Sequence, residues 1–111
     1  NPTTQNPAAT ITEPPFTGTL RANGAATYPF SATTGGTITA TLTALSPNNP
    51  IGLSIGTWTG SACQIVIAND NASQAASVTG TVTAAAALCV RVYDQGRLTA
   101  PVDFTVTIVH P

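Results

Sequence analysis

Apolar and polar positions alternate along most of this chain. In residues 36–45, GTITATLTAL, Ile38, Ala40, Leu42 and Ala44 alternate with Thr37, Thr39, Thr41 and Thr43. Side chains of an extended strand point to opposite faces with period two, whereas helical spacing would scatter these four apolar residues around the circumference. The branched Cβ of threonine also fits a pleated surface better than a helix turn. The pattern predicts a half-buried antiparallel strand with all four apolar residues, Ala44 included, on its inner face.

Shorter stretches repeat the period. Residues 16–21 (FTGTLR) lead into Asn23-Gly24, a hairpin-turn signal, and then into residues 26–31, where Ala26, Tyr28 and Phe30 share a face and Pro29 suits a sheet edge. Residues 46–50 (SPNNP) close the Thr-rich strand. Ile51, Leu53 and Ile55 then face inward, leaving Gly52, Ser54 and Gly56 outward, and this segment ends at Trp58. Residues 64–68 read as a short, mostly buried strand broken by Asn69-Asp70-Asn71. Residues 78–83, 88–93 and 102–109 complete the set, the last carrying Phe104, Val106 and Ile108 inward. About eight short strands separated by turn residues predict an all-β domain over residues 16–111, an antiparallel β-sandwich of jelly-roll or immunoglobulin-like kind.

Residues 1–15, NPTTQNPAATITEPP, break the pattern. Pro2, Pro7, Pro14 and Pro15 oppose a helix and favour extended backbone. Between them Ala8, Ala9, Thr10, Ile11 and Thr12 form a candidate short strand. The segment is expected to be an extended arm, lying across its own domain or a neighbour's.

Composition narrows the function classes. A chain of 111 residues fits one domain. Only 6% of residues are charged, with Arg21, Arg91 and Arg97 as the fixed cations, and the net charge is −1. That charge gives no field to draw nucleic acid or an anionic membrane, and the longest apolar run is too short to span one. Sheet edges are commonly guarded by charge, lysine above all, and this chain has no lysine. Either its edges are covered or they pair with another chain. Cys63 and Cys89 permit one disulfide, expected in a small charge-poor β domain from an oxidising compartment. The start at Asn1 is read as mature numbering after loss of an export signal, which places the protein outside the cell. By parity Cys89 faces away from the core filled by Leu88, Val90 and Val92, so Cys63 is expected in the turn before its strand.

The succession of motifs from Phe16 onward resembles the bacterial pre-peptidase C-terminal domain, a small secreted β-sandwich. The matching residues are Phe16-Thr17-Gly18-Thr19-Leu20, Tyr28-Pro29-Phe30, the Gly35-Gly36 turn, residues 68–72, Val90-Arg91-Val92 and residues 104–107. The family's two tyrosines before the Val-Arg-Val strand are replaced by Leu88 and Cys89, and its acidic segment appears as residues 48–53 without a carboxylate. The resemblance implies a non-catalytic appendage used in binding, targeting or assembly. A calcium site that some members build from those acids is not expected here.

Chemistry-bearing residues are few. Nucleophilic hydrolysis needs a base and an orienting carboxylate, but the one histidine, His110, stands at the chain's end and is expected to be solvated. Four scattered acids, Glu13, Asp70, Asp94 and Asp103, do not suggest a glycosidase pair. No enzyme activity and no cofactor are expected. Asn69 and Asp70 are weak metal candidates, read in preference as an Asx turn. Trp58 is a candidate contact for a sugar or partner, read in preference as a plug over one end of the core. Asn71-Ala72-Ser73 fits an N-glycosylation acceptor, and the Thr-rich faces could carry O-linked sugars. The expected function is self-assembly into a homo-oligomer or filament, the arm adding to a neighbour's sheet. The alternative is a carbohydrate- or protein-binding accessory module.

Overall fold

In a computed structural model, which describes residues 10–111, nine strands form two antiparallel sheets packed as a sandwich. The strands are β1 (Ile11–Thr12), β2 (Phe16–Leu20), β3 (Ala25–Ala32), β4 (Gly36–Ser46), β5 (Ile51–Trp58), β6 (Cys63–Ala72), β7 (Ser77–Val82), β8 (Ala86–Tyr93) and β9 (Val102–His110). One sheet runs β1-β9-β4-β7, with β2 also on β9, and the other runs β3-β8-β5-β6. The inward residues of the two sheets meet in one core: Ile38, Ala40 and Leu42 from β4 and Val106 and Ile108 from β9 face Leu53, Ile55, Val90 and Val92. Phe16, Tyr28 and Phe104 stack at the side where β2 lies over β3, with ring centroids 5.4 Å and 5.1 Å from Phe16.

The structure departs from the alternation at identifiable points. β4 carries a bulge between Leu42 and Ala44 where it pairs with β9. One extra residue reverses the faces, so Ala44 is exposed and Leu45 takes the buried position. Asn23-Gly24 does not close a hairpin. β2 pairs with β9 and β3 with β8, and the turn (Gly24 N–H to the Arg21 carbonyl, 2.9 Å, Asn23 at φ 57°) carries the chain from one sheet to the other. Turn chemistry sets a local reversal; it does not choose which strands pair.

The largest correction concerns β6. It runs on through Asn69-Asp70-Asn71 to Ala72, and its apolar centre is on the surface, with Ile65 43%, Val66 73% and Ile67 41% exposed. The reason is position: β6 is the last strand of its sheet, and across the sandwich it meets only the edge strand β7, so its apolar centre is partly open. The ninth strand, β1, comes from the arm.

Candidate functional site

Of the five predicted arm residues, Ala8 and Ala9 lie outside the described residues. Thr10 is exposed, and Ile11 and Thr12 pair with His110 and Val109 of the chain's own β9. The pairing is two residues long and leaves Ile11 40% exposed. What fixes the arm's root is the next residue. Glu13 donates its backbone N–H to the Ile108 carbonyl at 2.9 Å, and its carboxylate takes His110 Nε2 at 2.7 Å and the Tyr28 hydroxyl at 2.8 Å. The hydrogen bond from His110 holds the Glu13 carboxyl below its ordinary range, outweighing partial burial, with the Tyr28 hydroxyl adding to the effect. The same bond to Glu13, with burial, raises the Tyr28 phenol.

His110 is therefore not solvated. It is 1% exposed, its ring lies 4.9 Å from that of Phe30, and its Nδ1 is 2.9 Å from the Pro111 carbonyl. Both ring nitrogens face oxygen acceptors. No local signal could have revealed this, because the partner lies 97 residues away.

Opposite the arm, the sandwich is open. β7 ends one sheet and β6 the other, and among the described residues each is paired on one side only. Between them lies a cleft of about 170 Å³, lined by Ile38, Ile55, Val66, Ile67, Val82 and Leu88, with Gly80 on its wall. The lining carries no charged side chain. Nothing in the sequence pattern marks this cleft, since the apolar run at residues 64–68 predicts a mostly buried strand.

Cys63 and Cys89 form the disulfide, with Cα atoms 5.9 Å apart. Cys63 is the first residue of β6, not part of the preceding turn, and Cys89 lies on β8 with β5 between them. Two strands on either side of a third normally lie about 9.6 Å apart. The gap closes because β6 bends over β5 at Gly56, where β6 carries a bulge at Val66 and a Cβ on Gly56 would overlap the Gln64 carbonyl. Only a residue without a side chain permits that approach. The bridge thus pins the first residue of one cleft wall to the middle of the sheet.

Trp58 is half-buried at the end of β5, opposite Cys63, and is not one of the core residues. The strip beside it is not bare. Gly52 lies under the Tyr93 ring, Gly56 lies under β6, and Ser54 donates from Oγ to the Arg91 carbonyl at 2.9 Å. Tyr93 donates its hydroxyl to Asp70, and burial followed by that bond pushes its phenol up to about 12. Asn69 Oδ1 accepts the Asn71 N–H at 3.0 Å, an Asx turn, here set within a strand next to the bulge opposite Ile51 and Leu53. Asn71 is exposed, and its Oδ1 accepts from Arg97 at 2.9 Å. Asp94 anchors the β8–β9 loop. Burial works against its charge, but backbone N–H groups of Asn23, Arg97, Leu98 and Gly96 together hold its carboxyl below the ordinary value. Among the described residues no buried side-chain nitrogen or oxygen lacks a partner, and no three His, Cys, Asp or Glu side chains gather as a metal group. No helix of the described residues is long and apolar enough to cross a membrane.

Compared with models of known protein families and with curated proteins, the chain matches none.

Proposed function

We propose that this chain is a non-catalytic extracellular structural subunit that self-assembles into a homo-oligomer or filament, its N-terminal arm adding to the sheet of a neighbouring subunit. The observation that carries this reading is the outer edge of β6, where Ile65, Val66 and Ile67 are exposed side by side without a lysine or arginine among them. An edge strand of this kind is a template for another chain unless something guards it. Added strands gain affinity from main-chain hydrogen bonds and selectivity from pockets that take alternate side chains. The arm is suited to the part: it has no charged side chain through Thr12, and its Ala9-Thr10-Ile11-Thr12 run repeats the apolar/threonine alternation of the sheets.

Export agrees with the disulfide, since such bonds persist in oxidising compartments. There Asn71 and the exposed threonines are open to sugars. The absence of catalysis is supported by the way the one histidine is used, buried between Glu13, Phe30 and the Pro111 carbonyl. The accessory-module alternative, of the pre-peptidase C-terminal type, has less support. Its simplest binding face was Trp58 above an open glycine strip, and that strip is covered by Tyr93 and β6.

The test is sedimentation velocity on the full chain and on a chain lacking residues 1–12, which keeps Glu13 and its clasp. Assembly by the full chain and a monomer after deletion support the proposal; equal particle size in both overturns it.

A further inference from the structure

We infer that the cleft between β6 and β7 is the acceptor for Ile11 of a second copy, so that copies join head to tail. The inference rests on the assembly reading above and names the two surfaces it uses.

Size comes first. A cleft of about 170 Å³ is close to the roughly 150 Å³ apolar cavity that accepts a benzene-sized guest. It therefore has room for one branched aliphatic side chain and little more. Ile11 is the only large apolar residue ahead of Phe16, and in its home position on β9 it remains 40% exposed. Residues flanking it are small or hydroxylated, as a strand laid between two edges requires.

Charge agrees. The arm has no charged side chain before Glu13, and the cleft lining has none. Docking therefore desolvates no ion, the commonest cost of a buried contact. Among the described residues β6 and β7 are each paired on one side only, so an incoming strand finds a free backbone edge beside the apolar walls.

Geometry excludes the chain's own cleft. Ile11 lies two residues from Glu13, which is clasped to His110, and two extended residues reach about 7 Å. The strand order β1-β9-β4-β7 puts three strand spacings, about 14 Å, between β1 and β7. With the clasp closed, Ile11 fills only another molecule's cleft. Donor and acceptor sit on opposite edges of one sheet, so each docked copy leaves its own cleft free for the next, and growth is open-ended.

Gly80 supplies the test. A Cβ there would meet only the Ile67 Cγ2 atom, at 3.8 Å, so a larger side chain occupies the cleft without displacing backbone. Gly80→Leu blocks the acceptor, and Ile11→Asp disables the donor at an exposed position. At a concentration where the unaltered chain sediments as species larger than a dimer, each variant alone is expected to run as a monomer. Mixed in equal amounts they are expected to form a one-to-one pair of twice the 11.1 kDa chain mass, the arm of the Gly80→Leu chain entering the cleft of the Ile11→Asp chain. Ile67→Asp, at a residue 41% exposed, is a second acceptor variant should Gly80→Leu not fold.

Acceptor variants that assemble like the unaltered chain, while Ile11→Asp does not, overturn the cleft and leave arm addition standing. Ile11→Asp that assembles normally overturns the anchor, as does a mixture that forms no pair. Loss of assembly in Ile67→Asp while Ile11→Asp and a folded Gly80→Leu assemble normally overturns the inference in favour of direct β6-to-β6 pairing. A monomeric unaltered chain removes the assembly reading itself, and the inference with it.

Discussion

Opening the Cys63–Cys89 bridge tests whether the wall of the cleft is held by covalent restraint or by packing. The cleanest perturbation is Cys63→Ser, because Cys63 is only half-buried while Cys89 is fully enclosed and should keep its sulfur. The bridge closes a loop with a sequence separation of 26 residues. Loop-entropy reasoning puts the stabilisation at about 3.5 kcal/mol. Packing should replace little of it, since Ile65, Val66 and Ile67 next along β6 are exposed. A domain of this size moves by roughly 4 °C in Tm per kcal/mol, so the variant should melt about 15 °C lower. Thermal unfolding followed by circular dichroism, with the unaltered protein in reductant as a second route to the same state, reads the difference. Amide exchange should quicken first at Cys63–Ala72, the strand the bridge restrains. A Tm change below about 4 °C would refute the reasoning, because packing alone would then be holding β6 across Gly56.

Two other predictions follow from the geometry. Glu13 and Asp94 both have carboxyls held below their ordinary values, so each adds stability above its unfolded pKa, 4.5 for Glu13 and 3.8 for Asp94, and loses it as pH falls through the folded value. Stability measured by urea unfolding should therefore drop on acidification below about pH 4.5; Glu13→Gln should be less stable than the unaltered chain at pH 6 and should converge with it at low pH, and a constant gap would contradict the assignment. In β4, Leu45→Ala should cost about 2–4 kcal/mol, whereas Ala44→Ser should change stability by less than about 0.5 kcal/mol, the reverse of what unbroken alternation predicts.

Strand positions could be read from the sequence because the period-two pattern is a local property of consecutive residues. Residues 102–109 show this well, with Phe104, Val106 and Ile108 buried as their spacing requires; in residues 51–58 Ile51, Leu53 and Ile55 are buried as expected, but so are Gly52, Ser54 and Gly56, which the alternation places outward. The disulfide was legible for a different reason, that two cysteines allow one pairing. Lateral order was not legible. Ile65, Val66 and Ile67 have the composition of an inner strand, and only the sheet order reveals that β6 is an edge. The bulge in β4 inserts a residue without a residue type to announce it. The clasp between Glu13 and His110 joins the two ends of the chain, and no local pattern encodes a contact across 97 residues. Most of the candidate site belongs to this second class: the cleft exists because two edges from different sheets come together.

The central claim is that Ile11 leaves its own β9 and enters another chain's cleft. Assemblies grown from an equal mixture of 15N-labelled and 13C-labelled chains give nitrogen–carbon correlations in solid-state NMR only across chain boundaries. The account predicts a correlation between the Ile11 methyl carbons of one chain and the Gly80 amide nitrogen of another. Correlations of Ile11 confined to a uniformly labelled chain's own His110 and Val109, with none across the boundary, would contradict it.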